Sequence, residues 1–311
     1  MAVIKTDAVG VSAPERCFLC DSGDSVAVYD AAPYRTVKCS SCGMLRVMPM
    51  PDEEQRRGIN SGIYSTEEYK ERYFKDKRNF TNWFRDKLKI IETYKPGKGR
   101  ILDIGCSYGF FVEEALRRGW SAYGCEINPV TGGYSRERLQ ERVYVGDLDG
   151  MPFAGKGFDV VTLWDVIEHQ PDPAAFLNRV KRYLKEDGII CLQVPNFDGY
   201  ISRLKGERWD WLTPGDHLYY FTPGTLKKTA EAAGFAQLYA ETWEPTRYFI
   251  DSLVGFNENK SALLELYRLT IVRFIRLGLF FLFLPFQAYL HKNGKGALLL
   301  SILSVKRGKD A

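Results

Sequence analysis

Residues 100–243 alternate between short apolar runs and segments in which apolar residues recur every three or four positions. The apolar runs predict strands at 100–104, 121–127, 142–147, 158–166, 188–195 and 235–243, with one more strand within 296–310. The intervening segments predict helices at 130–141 and 173–184, a helix capped by Ser107 that runs to about Arg118, and a helix from Thr222 to Gly234. Strands that are apolar on both faces and alternate with helices predict an α/β fold with a parallel sheet covered on both sides.

Helical patterns also occur outside this block. Residues 51–96 are bounded by Pro51 and Pro96 and carry charged and aromatic residues at helical spacing, which predicts one or two helices. Residues 277–290 are 14 positions without a charge, fewer than the roughly 20 apolar residues that a bilayer-spanning helix needs. In the preceding stretch, 263–276, the charged residues share one face of a helix and the other positions are largely apolar.

The segment 263–290 fits two alternatives. A basic amphipathic helix followed by an apolar one suits a helix that lies in an anionic membrane interface. The same pattern suits a helical insert that packs against the core or in a homodimer. Charge favours the membrane alternative, because residues 268–311 carry a net +7 and the rest of the chain −3, within a total of +4.

Composition narrows the function classes. With 45% hydrophobic and 26% charged residues, the chain is typical of globular proteins, which excludes a disordered or fibrous protein. The nearly balanced charge gives no reason to expect a nucleic-acid partner. The first residues show no secretory signal, so we expect a cytoplasmic protein with reduced thiols, peripheral on the inner face of the membrane if the segment 263–290 binds there.

Four cysteines form two Cys-x-x-Cys pairs, Cys17 with Cys20 and Cys39 with Cys42, separated by 18 residues. Two such pairs supply four thiolates for a tetrahedral zinc ion. A site with all four positions filled by protein is structural. Zinc ribbons also bind nucleic acid, but here the basic residues of 11–50 are balanced by acidic ones.

The loop after the first predicted strand of the α/β block reads Asp103-Ile-Gly105-Cys-Ser107-Tyr-Gly109. The first strand–helix junction of an open α/β sheet is where nucleotide-like cofactors lie. A dinucleotide site would have glycine where Ser107 stands, which weakens that alternative. Glu126 ends the next strand and can accept hydrogen bonds from ribose hydroxyl groups.

These motifs, together with GDLDGMPFAGKGFDVVTLWDVIEH at 146–169 and LKEDGIICLQVPN at 184–196, resemble the class I S-adenosylmethionine-dependent methyltransferases. The similarity is greatest to the branch that methylates quinones, sugars and natural products, some of whose members carry a similar N-terminal zinc module. The resemblance implies a doubly wound, Rossmann-like, seven-stranded sheet with S-adenosylmethionine as cofactor.

The resemblance also implies roles for the residues that match. The methionine part of the cofactor would be surrounded by the loop residues Asp103, Gly105, Ser107 and Gly109. Glu126 would hold the ribose, Asp147 would contact the adenine amino group, and Ile127 and Leu148 would sandwich the ring. Trp164 and Asp165 would line the cofactor and acceptor side after the fourth strand. The alternative, that an acid merely caps a helix or turn, applies to any one of them alone and does not account for Asp103, Glu126 and Asp147 together.

Two of the three histidines follow strand ends on the ligand edge of the predicted sheet. His217 is the favoured general base for removing a proton from the acceptor, and His169 is the second candidate. The alternatives are that His169 only orients its loop and that His217 only caps the helix near Thr222.

The sequence therefore predicts a methyltransferase that acts on an oxygen of a hydrophobic or lipid-linked small molecule, such as a sugar, a glycolipid or a quinone-like ring. Methylation of carbon or nitrogen and a non-catalytic cofactor-binding platform are the alternatives. The predicted domains are a zinc ribbon (11–50), a helical lid (51–96), a cofactor-binding core (97–245), a helical insert (246–293), and a final strand with a basic tail (294–311).

Overall fold

The computed structural model describes residues 16–153, 157–245 and 285–306. The predicted amphipathic stretch 263–276 and the first part of the apolar run lie outside these residues. Residues 285–292 are helical. No helix in the described ranges is long and apolar enough to cross a membrane.

The N-terminal module is a small antiparallel sheet with two cysteine turns. Its strands are β1 (Ser25–Ala31), β2 (Tyr34–Cys39) and β3 (Leu45–Met48), and β2 pairs with both of the others. The first turn holds Cys17 and Cys20, and the second connects β2 with β3. Gly43 closes the second turn with a φ of +81°, a conformation that favours glycine.

Three helices follow, where the pattern predicted one or two: α1 (Glu53–Tyr64), α2 (Glu67–Lys75) and α3 (Lys77–Tyr94). The side chain of Thr66 accepts a hydrogen bond from the amide of Tyr69, and this cap starts a new helix directly after α1. Asp76 ends α2 and precedes α3. Short polar residues thus divide a segment whose periodicity alone looks continuous.

Eight further strands follow among the described residues; seven form the central sheet, and β9 (Tyr219–Tyr220) joins the N-terminal one. The seven are β4 (Arg100–Ile104), β5 (Ser121–Glu126), β6 (Val143–Val145), β7 (Phe158–Trp164), β8 (Leu184–Pro195), β10 (Phe235–Trp243) and β11 (Leu298–Val305). Their spatial order is β10-β11-β8-β7-β4-β5-β6. The predicted parallel α/β sheet is confirmed for β4 to β8, whereas β11 runs antiparallel to both of its neighbours.

Helices lie at the four predicted places: α4 (Phe110–Arg117), α5 (Pro129–Leu139), α6 (Pro173–Lys181) and α8 (Pro223–Ala232). Helix α7 (Tyr200–Lys205), which the pattern did not predict, follows β8. Thr222 caps α8 as predicted. Ser107 does not cap α4: Gly109, with a φ of +77°, is the residue that precedes its first turn. The backbone of Ser107 also lies in the left-handed region, with a φ of +46°. The loop 105–109 is therefore not helical.

Backbone pairing joins the two sheets. Leu45 and Arg46 of β3 pair with Tyr220 and Tyr219 of β9. Next to this pair, the amide of Val47 donates to the carbonyl of Leu218 at 2.9 Å. The strand that follows His217 is therefore the last strand of the N-terminal sheet.

Replacement of Gly105 by alanine tests the loop conformation. Its φ is +77°, and an added Cβ would lie 2.6 Å from Cγ2 of Val166. The left-handed backbone alone costs a β-carbon-bearing residue about 1–2 kcal/mol. We expect Gly105→Ala to lower the free energy of unfolding by at least that amount in chemical denaturation.

The matched control is Gly58→Ala within α1, where an added Cβ meets nothing within 4 Å. At this position alanine should raise the free energy of unfolding by about 0.5–1 kcal/mol, since glycine is the more flexible residue in the unfolded chain. Equal effects of the two changes would contradict the strained loop.

Candidate active site at the carboxyl edge of the central sheet

The carboxyl ends of β4, β5 and β7 meet around two buried acids. Asp103 lies in β4 and accepts a hydrogen bond of 2.7 Å from the hydroxyl of Thr162 in β7. Burial raises the pKa of Asp103 well above its ordinary value, against the effect of this hydrogen bond. The pair links neighbouring strands at the point where both leave the sheet.

Glu126, at the end of β5, organises the loop 105–109. Its Oε2 accepts from the amide of Ser107 at 2.7 Å, and its Oε1 from the amide of Asn128 at 2.8 Å. Burial raises the pKa of Glu126, although these amides act in the opposite direction. The Ser107 hydroxyl is buried and has no hydrogen-bond partner among the described residues. The structure therefore brings together the loop and the acid that the sequence predicted for one cofactor site.

The residues predicted for the ring of the cofactor lie further along the same edge. Ile127 follows Glu126 and is 59% exposed, an unusual position for an apolar side chain next to a buried acid. Leu148 is buried in the core. Asp147 is largely exposed, and its Oδ1 pairs with Arg179 at 2.7 Å.

Trp164 and Asp165 end β7. The indole packs edge-to-face on Trp83 of α3, with ring centroids 5.1 Å apart. Asp165 has a φ of +53°, and burial raises its pKa to about 6. The indole of Trp164 thus faces the helical segment that the sequence predicted as a lid, whereas the carboxylate of Asp165 accepts from the side-chain amide of Gln193 in β8 at 3.4 Å.

The two predicted histidines lie side by side, with ring centroids 4.8 Å apart. His169 belongs to a single helical turn directly after β7, and His217 precedes β9. Nδ1 of His169 is 2.8 Å from the carbonyl oxygen of Asp216 and 3.3 Å from its Oδ1. Nδ1 of His217 is 2.9 Å from the carbonyl oxygen of Trp211.

The two imidazole rings have different pKa values because their charged neighbours differ. Burial opposes protonation of His169, but the nearby carboxylate and carbonyl of Asp216 outweigh it and raise the pKa of His169 to about 10. Burial and the neighbouring imidazole lower the pKa of His217 to about 4. Although burial acts against ionisation of Asp216, its contact with His169 holds its pKa below the ordinary value.

Three further residues complete this cluster, and no role was predicted for any of them. Glu168 is 1% exposed, and neither carboxylate oxygen has a hydrogen-bond partner from another described residue. Burial raises the pKa of Glu168 to about 8. Asp216 supports His169, and the hydroxyl of Tyr64 donates to Asp216 at 3.0 Å. Glu168 stands next to His169 in the sequence. The order of residue types along the chain could not show that its carboxylate is buried and accepts no hydrogen bond from another described residue.

Helices α1 and α2 connect the two clusters. The side-chain amide of Asn128 donates to Asn60 at 3.0 Å and to the hydroxyl of Ser65 at 3.1 Å. The ring of Tyr64 contacts that of Tyr69, with centroids 5.1 Å apart. These helices thus lie over the cofactor loop on one side and the histidines on the other.

Within the part of the chain that the structure describes, two groups of residues could hold a metal ion. The four thiols of the N-terminal module lie within 4.8 Å of one another, and Cys17 with Cys42 and Cys20 with Cys39 are each 3.5 Å apart at sulfur. Glu168, His169 and His217 form the second group, with one ligand atom from each within the same distance.

Comparison with known proteins agrees with this geometry. The family described as "Methyltransferase domain" matches residues 72–240, more than half of the chain. A protein of Dinoroseobacter shibae named ubiquinone biosynthesis O-methyltransferase is 31% identical over 158 residues, which cover 46% of this chain and 63% of that one. A protein of the same name from a Ruegeria species is 32% identical over 156 residues, with the same coverage of 46% and 63%. The chain spans less than two thirds of the length of these relatives.

Among solved structures, phosphoethanolamine N-methyltransferase 2 of Haemonchus contortus, in complex with S-adenosyl-L-methionine, matches with a TM-score of 0.53. The match covers 85% of this chain and 63% of that one, at 18% identity. At this identity the similarity shows a shared fold.

Proposed function

The chain belongs to the methyltransferase domain family, and we propose that it transfers a methyl group from S-adenosylmethionine to an oxygen of a quinone-like or other hydrophobic small molecule. The observation that carries the proposal is the position of two clusters on one sheet edge. The loop 105–109 with Glu126 lies beside β7, and the turn that bears Glu168 and His169 follows that strand directly. The names of the curated relatives support an oxygen acceptor on a ring.

The residues at the first cluster fit the cofactor. Each carboxylate oxygen of Glu126 accepts one amide hydrogen, which leaves acceptor capacity for ribose hydroxyl groups. The methionine part would lie along Asp103, Gly105, Ser107 and Gly109, where the Ser107 hydroxyl has no partner among the described residues. When bound, the cofactor supplies a methyl group that is already activated on sulfur.

The ring of the cofactor would lie against the exposed face of Ile127, with Leu148 beneath. Asp147 would reach the adenine amino group through Oδ2, because its contacts with Arg179 and with the amide of Asp149 both use Oδ1.

The second cluster is suited to the acceptor. For a hydroxyl group, the protein must align the oxygen and help to remove its proton. The carbonyl of Trp211 only accepts, so Nδ1 of His217 carries the hydrogen and Nε2 the lone pair. We propose that this Nε2 faces the acceptor and serves as the base, with His169 next to it. Trp164 and Asp165 line the passage between the two clusters.

We also propose that Cys17, Cys20, Cys39 and Cys42 bind a structural zinc ion, which their sulfur spacing supports. The module pairs with β9, directly after His217. An ion that holds the ribbon together would therefore also fix the backbone that carries this histidine.

Replacement of Glu126 tests the cofactor site. Glu126→Ala should weaken binding of S-adenosylmethionine by about 1–3 kcal/mol, the range for hydrogen bonds to a charged group. Isothermal titration calorimetry measures the change. The control is Glu141→Ala, which removes an exposed acid from the single helical turn after α5. This variant should bind the cofactor as the unmodified protein does. Unchanged affinity in both variants would reject the ribose assignment.

Replacement of His217 tests the acceptor site. Loss of the group that takes the proton should lower the rate by about 10²–10⁴-fold, with cofactor affinity nearly intact. Transfer of labelled methyl groups to a panel of phenolic, catechol and sugar acceptors provides the assay. His291→Ala, which changes the exposed third histidine, is the matched control. A panel without turnover would favour a non-catalytic binding platform.

We further propose that the segment 263–290 docks the protein on anionic membranes, where an apolar acceptor resides. The support is the net +7 of residues 268–311 against −3 for the remainder. Each basic residue near an anionic surface contributes about 1 kcal/mol, weakened by salt. In flotation with anionic liposomes, binding should fall at high salt and vanish when Arg268, Arg273 and Arg276 become Glu. A dimer that ignores liposomes and loses its interface on changes at 280–286 would favour packing between copies.

A further inference from the structure

We propose that Glu168, His169 and His217 bind a divalent transition-metal ion, and that this ion holds and deprotonates the hydroxyl group of the acceptor. The proposal rests on the proposed methyl transfer, since it assigns a role within the same site. One ligand atom from each residue lies within 4.8 Å of the other two. A bound ion would draw the three atoms inward to bonding distance, about 2.0–2.2 Å.

Both imidazole rings have a backbone carbonyl oxygen next to Nδ1, which leaves Nε2 for a ligand. Nδ1 of His169 lies 2.8 Å from the carbonyl oxygen of Asp216, and Nδ1 of His217 lies 2.9 Å from that of Trp211. A carbonyl oxygen cannot donate, so a neutral ring in either place carries its hydrogen on Nδ1 and its lone pair on Nε2. Metal-binding histidines are held in this way, by a hydrogen bond from the other ring nitrogen.

Glu168 is the independent observation that points to a ligand. Its side chain is almost completely buried, and neither oxygen has a hydrogen-bond partner from another described residue. A buried carboxylate that accepts no hydrogen bond is unfavourable. A cation between Glu168 and the two rings removes this penalty.

The fold holds the three ligands in register. Glu168 and His169 follow β7, and His217 belongs to the distant segment before β9. The amide of Leu218 donates to the carbonyl of Glu168 at 2.9 Å. This backbone bond places the residue after His217 against Glu168, so the approach of the ligands does not depend on side chains alone.

Two imidazole nitrogens and one carboxylate oxygen suit zinc, manganese, iron or cobalt, whereas magnesium and calcium prefer ligand sets made of oxygen. Three protein ligands leave coordination positions open. A phenol, catechol or enol can fill them with oxygen. The ion would lower the pKa of that hydroxyl, as it does for bound water, and the proton would pass to solvent. With the ion bound, Nε2 of His217 is a ligand, and the ion takes over the task of the base.

The experiment counts metal ions in the full-length chain. Purified protein is dialysed with Co²⁺, washed, and analysed for zinc and cobalt. We expect one strongly held ion at the four cysteines and a second that binds in the dialysis. Glu168→Gln and His217→Ala should weaken only the second by at least about 10–100-fold, as followed by Co²⁺ titration and its visible absorption.

His291→Ala should keep both ions, and unchanged melting and zinc content would show that the Glu168 and His217 variants are folded. Cys39→Ser with Cys42→Ser should reduce the first ion. A chain that binds no second ion, or one whose second ion survives both ligand replacements, would overturn the metal site. If such a chain still transfers methyl groups, the base role of His217 stands without metal. If the second ion binds as expected but no acceptor is methylated, the proposed function fails and the metal site remains.

Discussion

The site depends on a backbone connection that runs from the N-terminal module into the central sheet. Strand β3 pairs with β9, and the segment before β9 donates in turn to the turn after β7. This ladder places His217 next to His169 although nearly fifty residues separate them in the chain. Backbone hydrogen bonds of this kind do not depend on side-chain identity, so the position of the second histidine follows from the pairing of strands. The small cysteine module is therefore part of the framework of the site.

Burial of acids is the second constraint on this sheet edge. Three acids there are buried away from water: Asp103, Glu126 and Glu168. They differ in the hydrogen-bond donors that offset the cost of burial. Asp103 has a hydroxyl donor, and Glu126 has two backbone amides. Glu168 has no donor from the described residues. Glu126 thus organises a loop through its hydrogen bonds, whereas Glu168 interacts with its surroundings through the charge of His169.

Much of the central sheet was predictable because its strands are continuous apolar runs and its helices have local caps. Thr222 is such a cap, and its helix begins as predicted. The residue types of the loop 105–109 were enough to predict a ligand loop. They predicted a helix that begins after Ser107, because the sequence pattern does not show the left-handed backbone of Gly109, from which α4 begins. Contacts between segments that are far apart in the chain could not be predicted either. Neither the pairing of β3 with β9 nor the placement of Tyr64 on Asp216 leaves a periodic signal, so the residues around the histidines were missed.

Strand β11 lies between β8 and β10, and more than a hundred residues separate it from β8 along the chain. During synthesis, therefore, β8 emerges with one side unpaired and β10 emerges without a neighbour, until residues 298–305 have left the ribosome. Exposed strand edges are sites of mispairing with other chains, and pairing over such a separation is slow to form. In the nascent protein, β4, β5 and β7 can therefore pair with one another before the opposite half of the sheet has its middle strand.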